Sequence, residues 1–430
     1  MDEQAYRRLI SGQSNGLLAG LLRYLLGFAA IGYSFVVRLR NFSYSREWLK
    51  VHHVDAAVIC VGNITTGGTG KTPLVVWVHN QVISNLRSQI SNSRSQISDF
   101  PCVILTRGYK AARDPGLKTQ DYSDEIAILA ESCPGARVIV NPDRVAGAME
   151  AIRTFGAKVL IMDDGFQHRR LARDLDIVAI DATNPFGYGK MLPAGLLRES
   201  INSLKRADAV VITRCDQIAE ADIDELEKRL RAIHPDMVVA RAIHAPVHVE
   251  YTQPTVIPPN AEIQIDNENV DSCLRRNDNI GQLKGKRVFA FCGIGNPDAF
   301  LDTVRSLGCE LVGSKVYDDH YHYTQDGLAG IRNEAARVGA DLILTTQKDW
   351  TKVISDFKSF DCAQDMPQIS NFKSQILRLP LRQAQGFGSP GQALDSKSPV
   401  PFAYLAIEIK FLAGRDQLTA LIQEALAGRI

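Results

Sequence analysis

No two of the eight cysteines stand at C-x-x-C spacing. A reduced, cytosolic setting therefore fits better than a disulfide framework or a zinc site. Neither sign of charge dominates: Lys+Arg number 49, Asp+Glu 48, and the formal net charge is +1. Without bulk basicity, no nucleic-acid partner is expected. No small-residue cleavage site accompanies the apolar N-terminus, so a secretory signal is not expected either. What remains is a chain of 430 residues, 45% hydrophobic and 23% charged. That is ordinary for a soluble globular protein, with length enough for two cores.

One long apolar run stands out. Leu17 to Val37 (LLAGLLRYLLGFAAIGYSFVV) carries a single charge, Arg23, and is flanked by Arg7, Arg8, Arg38 and Arg40. Its length would just span a bilayer, but the arginine, three internal glycines and bases at both ends suit a helix lying in the membrane interface. A buried core helix and a true span are the competing readings.

Beyond it, short β-rich runs alternate with helical patterns. Strands are expected at Ala56–Val61, Cys102–Thr106, Arg137–Val140, Lys158–Met162, Asp176–Asp181 and Ala209–Thr213. Helices are expected at Leu74–Val82, Asp124–Glu131, Arg144–Phe155 and Asp222–Ile233. Such alternation predicts an α/β fold with a mainly parallel sheet covered on both faces. Met237–Ile257 breaks the rhythm as an extended linker, and a second, smaller α/β unit begins at Arg287 with strands at Glu310–Val316, Asp341–Thr345 and Phe402–Ile409. The expected division is 1–45 for the membrane-associating helix, 46–240 for a phosphate-loop domain, 241–286 for the linker and 287–430 for the smaller domain. Polar tracts at 266–281 and 383–398, and an insertion near 355–400, bury too little apolar surface to form a core. The octapeptide ISNLRSQI at 83–90 recurs as ISNFKSQI at 369–376, with an echo at 94–97. These copies read as spacers tolerated in surface loops.

Chemistry concentrates at Val61–Pro73, VGNITTGGTGKTP. A strand, a glycine-rich turn and a helix in succession form a phosphate cradle of backbone N–H groups, reinforced by the helix dipole. The G-x-x-x-x-G-K-[ST] pattern demands glycine where Thr65 stands; Gly62, Gly67 and Gly68 are expected to supply the turn. Thr66, Gly67, Gly68, Thr69 and Gly70 would line the phosphates, Lys71 would reach the β- and γ-phosphates, and Thr72 would ligate Mg²⁺. A second feature, VLIMDD at 159–164, ends an apolar strand in Asp163 and Asp164. Paired carboxylates repel unless a cation sits between them, so this is where a magnesium-supporting acid belongs. His168, four residues on, is either a packing histidine or a site residue.

Taken in order, GNITTGGTGKTP, LTRGY (105–109), Asp124-Glu125, DDGFQHRRLARD (163–174) and LPAGLLRE (192–199) resemble the tetraacyldisaccharide 4'-kinase family. GIGNP (293–297), Asp319-His320 and TQKD (346–349) extend the likeness. The resemblance implies a phosphate-loop kinase domain joined by a β-ribbon linker to a smaller α/β domain. It implies transfer of the γ-phosphate of ATP, with Mg²⁺, to the 4'-hydroxyl of a tetraacylated disaccharide 1-phosphate lipid. The enzyme would be a monomer attached peripherally to the cytoplasmic face of the bacterial inner membrane. Asp124 would be the base, aided by His320 from the smaller domain. Lys71, Asp163 and Asp164 would complete the catalytic set. Thr72, Asp163 and Glu199 would surround the metal, with Arg198 and Glu199 at the nucleotide, and Arg144, His168 and Asp319 would meet the acceptor. Read from the residues alone, Asp124 serves equally as a helix N-cap. The alternatives are a phosphate-loop ATPase or GTPase switch without a lipid acceptor, and a membrane-attached binder that has lost catalysis.

Overall fold

The computed structural model describes residues 3–89, 102–108, 126, 128–129, 132–133, 136–252, 279–318, 321–358, 400–427 and 429. Asp124, Asp319, His320, the repeat copies at 94–97 and 369–376 and the tract at 383–398 lie outside them.

Six apolar runs become adjacent parallel strands: β1 (Ala57–Gly62), β2 (Cys102–Thr106), β3 (Arg137–Val140), β4 (Val159–Asp163), β5 (Leu175–Asp181) and β6 (Ala209–Thr213). Five of them are buried almost throughout because helices cover both faces, whereas β3, at the sheet edge, is only partly covered. On one side lies α3 (Lys71–Gln89), whose Leu74, Val75, Val78 and Val82 are fully buried. On the other, α4 (Arg144–Phe155) brings Val145, Ala148 and Ala151 against β2 and β4. Asp143 caps α4 by accepting from the Val145 and Ala146 amides, and Gly156 ends it in the left-handed region at φ 61°. Near β5 and β6, α5 (Glu220–Ile233) buries Ile223, Leu226 and Leu230.

Within the expected linker, residues 238–252 form a strand. β7 (Val238–Thr252) pairs parallel with β6 over Val238–Arg241 and antiparallel with β11 (Phe402–Ala413) along most of its length. Antiparallel pairing supplies a row of main-chain bonds. It also reverses strand direction, so the remaining strands run opposite to the first six. Those are β8 (Arg287–Cys292), β9 (Glu310–Val316) and β10 (Leu342–Thr346), with α6 (Pro297–Ser306), α7 (Gln325–Arg337) and α8 (Gln347–Lys358) around them. The sheet has eleven strands in the order β3-β2-β4-β1-β5-β6-β7-β11-β10-β8-β9. The C-terminal helix α9 (Arg415–Ala427), grouped by sequence with the smaller unit, lies elsewhere. Its Leu418, Ile422 and Leu426 are buried in the same cluster as β1, β4 and α3.

The first octapeptide copy also behaves differently from a spacer. Residues 83–89 form the last two turns of α3, and Ile83 and Leu86 are buried in the main core. A four-residue apolar spacing continued from Val78 and Val82 is what draws this copy inward.

Two helices precede the sheet. α1 (Glu3–Ile10) is short; α2 (Leu17–Ser45) has 29 residues and runs past the apolar stretch that foreshadowed it. The extension occurs because the polar end has partners. Ala30 and Val37 are buried, and Tyr33, Arg40 and Asn41 bond to the body of the protein. Leu18, Leu21, Leu25, Phe28, Phe35 and Leu39 face outward, each at least half exposed. α2 is long and apolar enough to cross a membrane.

Candidate active site

All the chemistry of the first half-sheet gathers at the carboxyl ends of its strands, where ligands of such sheets bind. β1 delivers the glycine loop, β4 the two aspartates, β5 Asp181 and β6 Arg214.

The loop is built by position rather than by composition. Gly67 and Gly70 take φ of 109° and 79°, a region that only glycine occupies easily. At Gly70 a Cβ would also strike the imidazole of His244 on β7. Gly62 and Gly68, expected to help the turn, have no such dihedral. Gly62 has another reason: a Cβ there would stand 2.6 Å from the Phe166 Cβ. It lets the turn after β4 lie directly against β1, which brings the aspartates to the loop. Four polar contacts hold the loop in shape. Asn63 donates to Thr69 Oγ1 at 2.9 Å, and Thr213 donates to the Thr69 carbonyl at 3.0 Å. Arg214 donates to the Gly68 carbonyl at 2.8 Å while ion-paired to Asp181. Thr66 donates its backbone N–H to the Leu196 carbonyl at 2.8 Å.

That last bond belongs to a wider pairing. The Leu196–Arg198 segment runs antiparallel to Ile64–Thr66, with the Arg198 N–H 2.7 Å from the Ile64 carbonyl. The LPAGLLRE motif is thus a strap along the entrance of the phosphate loop. From it, Arg198 reaches Asp164 with both terminal guanidinium nitrogens, at 2.9 and 2.7 Å, and also bonds Asn63. Lys71 Nζ lies 3.4 Å from the same carboxylate. Asp164 adopts φ 52°, a strained backbone for a residue with a side chain. Burial opposes its charge, but Lys71 and Arg198 prevail and hold it well below the usual carboxylate range. It is an anion at any physiological pH.

Asp163, its neighbour, is buried and closes β4. Its carbonyl accepts from Arg144 Nη2 at 2.9 Å, and Arg144 also donates to Asn141. Arg144 is itself buried, so this cation sits directly beneath the paired acids. His168 stands nearby with Nε2 shielded from solvent and without a partner. Burial, then the Arg144 charge, lowers its pKa to about 4, so the ring is neutral. Glu199 is fully buried, with one oxygen paired to Arg40 and the other 2.7 Å from Arg206. Both of its oxygens are engaged by arginines.

The structure therefore brings Lys71, Asp164 and Arg198 into contact and sets Asp163 and Arg144 beside them. Sequence reading missed Asn63, Thr213, Arg214, Arg206 and Arg40. Arg214 had a signal, since it follows an apolar strand at the ligand-binding edge. Its role, however, is to hold the loop backbone. Arg40 lay concealed in the basic flank of an apolar run.

On the other half of the sheet, the TQKD motif is a buried lock. Asp349 accepts from the Gly293 N–H at 3.0 Å and from Lys352 Nζ at 3.1 Å, and Thr346 bonds it at 2.7 Å. Gly293 leaves room for Tyr321 and Tyr323, where a Cβ would be crowded.

Comparison with known proteins gives a consistent picture. The family model described as Tetraacyldisaccharide-1-P 4'-kinase matches residues 22–376. A tetraacyldisaccharide 4'-kinase of Halothermothrix orenii is 31% identical over 360 residues, 81% of this chain and 87% of the relative. That of Geobacter sulfurreducens is 34% identical over 350 residues, 81% of this chain and 89% of the relative. Among solved structures, "apo" form LpxK from Aquifex aeolicus in complex with ATP shares the fold. The TM-score is 0.58 at 21% identity, covering 94% of this chain and 99% of that one.

Proposed function

The chain belongs to the tetraacyldisaccharide-1-P 4'-kinase family, and from that premise we propose how its own residues divide the work. It is an ATP-dependent kinase of lipid A biosynthesis. Our reading assigns it the transfer of the γ-phosphate to the 4'-hydroxyl of tetraacyldisaccharide 1-phosphate. One observation carries the residue roles: Lys71 and Arg198 converge on Asp164 beside a glycine loop braced by Asn63, Thr213 and Arg214.

The residues suit ATP and Mg²⁺. Gly67 and Gly70 have the backbone of an anion cradle. Oxygen donors, Thr72 and Asp163, match a hard cation. Among the described residues no three His, Cys, Asp or Glu side chains cluster as a metal cage. Mg²⁺ needs none, since one or two carboxylates and phosphate oxygens suffice. Glu199 is left out of this metal set because both of its oxygens pair with arginines.

Bound, the nucleotide supplies the phosphoryl group and Mg²⁺ offsets its charge. The protein contributes position and fields. Lys71 and Arg198 place two cations where negative charge grows, and Asp164 keeps both from swinging away. The glycines of the loop, Gly67, Gly68 and Gly70, would offer their N–H groups, while Thr66 and Thr69 brace it, their own N–H groups donated to the Leu196 and Gly67 carbonyls. Asp124 takes the proton of the sugar hydroxyl, a weak nucleophile without a base. His320 orients or shares that proton, with Asp319 beside it in sequence; these three roles rest on the family resemblance. Arg144, held at the Asp163 carbonyl, and neutral His168 meet the acceptor.

The smaller unit brings His320 to the phosphate-loop unit by closure, which also excludes water. The outward apolar face of α2 seats the enzyme on the cytoplasmic face of the inner membrane. An acceptor with four acyl chains stays in the bilayer, each buried CH₂ worth roughly 0.8 kcal/mol.

The test is transfer of label from γ-labelled ATP to tetraacyldisaccharide 1-phosphate in detergent micelles with Mg²⁺. Label in the lipid is expected for the wild type, with a loss on the order of 100-fold or more in Lys71→Ala and Asp124→Ala. Label released only as free phosphate refutes the lipid kinase reading in favour of a nucleotide switch.

A further inference from the structure

The outward face of α2 explains why the helix is apolar, but its inward face touches the catalytic strap at the strap's most deeply buried charge. Glu199 has no exposed surface, and Arg40 of α2 pairs with one of its two oxygens. Arg206 holds the other at 2.7 Å and lies 4.6 Å over the ring of Phe166, in the turn that carries the aspartates. A buried carboxylate with one oxygen left unpaired is strongly unfavourable. Withdrawal of Arg40 would therefore force Glu199 to move or to draw in water.

Arg198 is the adjacent residue, so it cannot ignore such a movement. Its N–H is tied forward to the Ile64 carbonyl of the phosphate loop at 2.7 Å. Its own carbonyl accepts backward from Tyr33 Oη of α2 at 3.0 Å. Its guanidinium spans Asp164. Two more contacts keep the helices in place on this region: Tyr6 Oη donates to the Pro193 carbonyl at 2.8 Å, and Arg169 donates to the Asn41 carbonyl at 2.9 Å.

We infer that Arg40 is a positioning residue for phosphoryl transfer: by saturating Glu199 it fixes the strap from which Arg198 reaches Asp164. The inference rests on the kinase reading above and extends it. The helix that seats on lipid is also the rear wall of the catalytic strap, so anchoring and alignment share one element. Arg40 touches neither nucleotide nor acceptor in this scheme. It acts through Glu199 and Arg198.

The experiment uses the full chain in detergent micelles with saturating acceptor, where docking on a bilayer does not limit turnover. Arg40→Met, Arg40→Lys and Tyr33→Phe are compared with wild type for kcat, KM for ATP, ATP-binding stoichiometry and sedimentation with anionic phospholipid vesicles. For Arg40→Met the expected result is a kcat lower by on the order of 10- to 100-fold, the scale of a displaced catalytic group. Vesicle sedimentation and ATP stoichiometry are unchanged, which rules out unfolded protein as the cause, and Arg40→Lys recovers most of the rate. Undiminished kcat in Arg40→Met, with reduced sedimentation, overturns the inference and leaves the arginine as an anchor only. If Arg40→Met does not fold, Tyr33→Phe decides: a fully folded Tyr33→Phe enzyme with wild-type kcat overturns it, and a reduced kcat at full ATP stoichiometry supports it. Failure of the wild type to label the lipid refutes the kinase reading itself, an outcome separate from these.

Discussion

Gly62 illustrates how a single hydrogen atom positions the candidate active site. Its missing side chain lets Phe166 approach β1, and with Phe166 come Asp163 and Asp164. Gly62→Ala introduces a Cβ that meets both the side chain and the backbone N of Phe166. We expect a destabilisation of about 1–3 kcal/mol, visible in thermal unfolding, because overpacking displaces neighbours. Phosphoryl transfer should fall further than stability alone explains, since the aspartates shift with the turn. His168 carries a different prediction, in pH. Its folded pKa is lowered by burial from 6.5 to about 4. Between these values the unfolded chain binds more protons at this site than the folded one, so stability is lost as pH falls through that window. Denaturant midpoints measured from pH 7 to 4 should decline less steeply in His168→Gln than in wild type. Asp164 works in the same sense at lower pH: its pKa is depressed too, so the stability its ionised form contributes is complete above the usual carboxylate range and is lost as pH falls below about 3.8.

At the scale of elements, α2 is the informative case. Hydropathy read over 17–37 found an apolar helix, but the last eight residues of α2 looked like its polar flank. They remain helical because Arg40 and Asn41 have tertiary partners, and no local pattern records a partner far along the chain. The two faces make separable claims. Replacing outward-facing Leu21, Leu25 and Phe28 by serine removes roughly 1.5–3 kcal/mol of apolar transfer free energy at each site. Sedimentation with anionic vesicles should fall by an order of magnitude or more, and undiminished sedimentation would discard α2 as the membrane anchor. The octapeptide repeat teaches the converse lesson. Near-identity to a distant copy argued for an inserted spacer, whereas continuation of the α3 apolar stripe through Ile83 and Leu86 places the first copy in the core.

For the whole molecule, the long β7–β11 pair is the structural decision that matters. It joins two groups of parallel strands running in opposite directions into one sheet. The chain then sends α9 back under β1 and α3, so its final helix stabilises the half that carries the phosphate loop. Truncating buried Ile422 to alanine should cost about 2–5 kcal/mol, as for other large-to-small core changes. Urea unfolding followed through the phosphate-loop half would detect it. A wild-type midpoint in that variant would mean that α9 is peripheral.

Strand positions and the phosphate loop were legible because their causes are local. Short apolar runs make buried strands, and glycines followed by Lys71 and Thr72 mark a loop of the anion-cradle kind. The paired acids at 163–164 were legible as a strand end in need of counter-charge, which at Asp164 Lys71 and Arg198 supply. Pairings between distant residues had no such trace. Arg40 with Glu199, Arg214 with Gly68, Gly62 with Phe166 and α9 with α3 depend on which surfaces the folded chain brings together. The sequence alone determined what chemistry this protein carries. Which side chains hold that chemistry in place emerges with the fold, because buried charges and close backbone contacts acquire their partners when the sheet is complete.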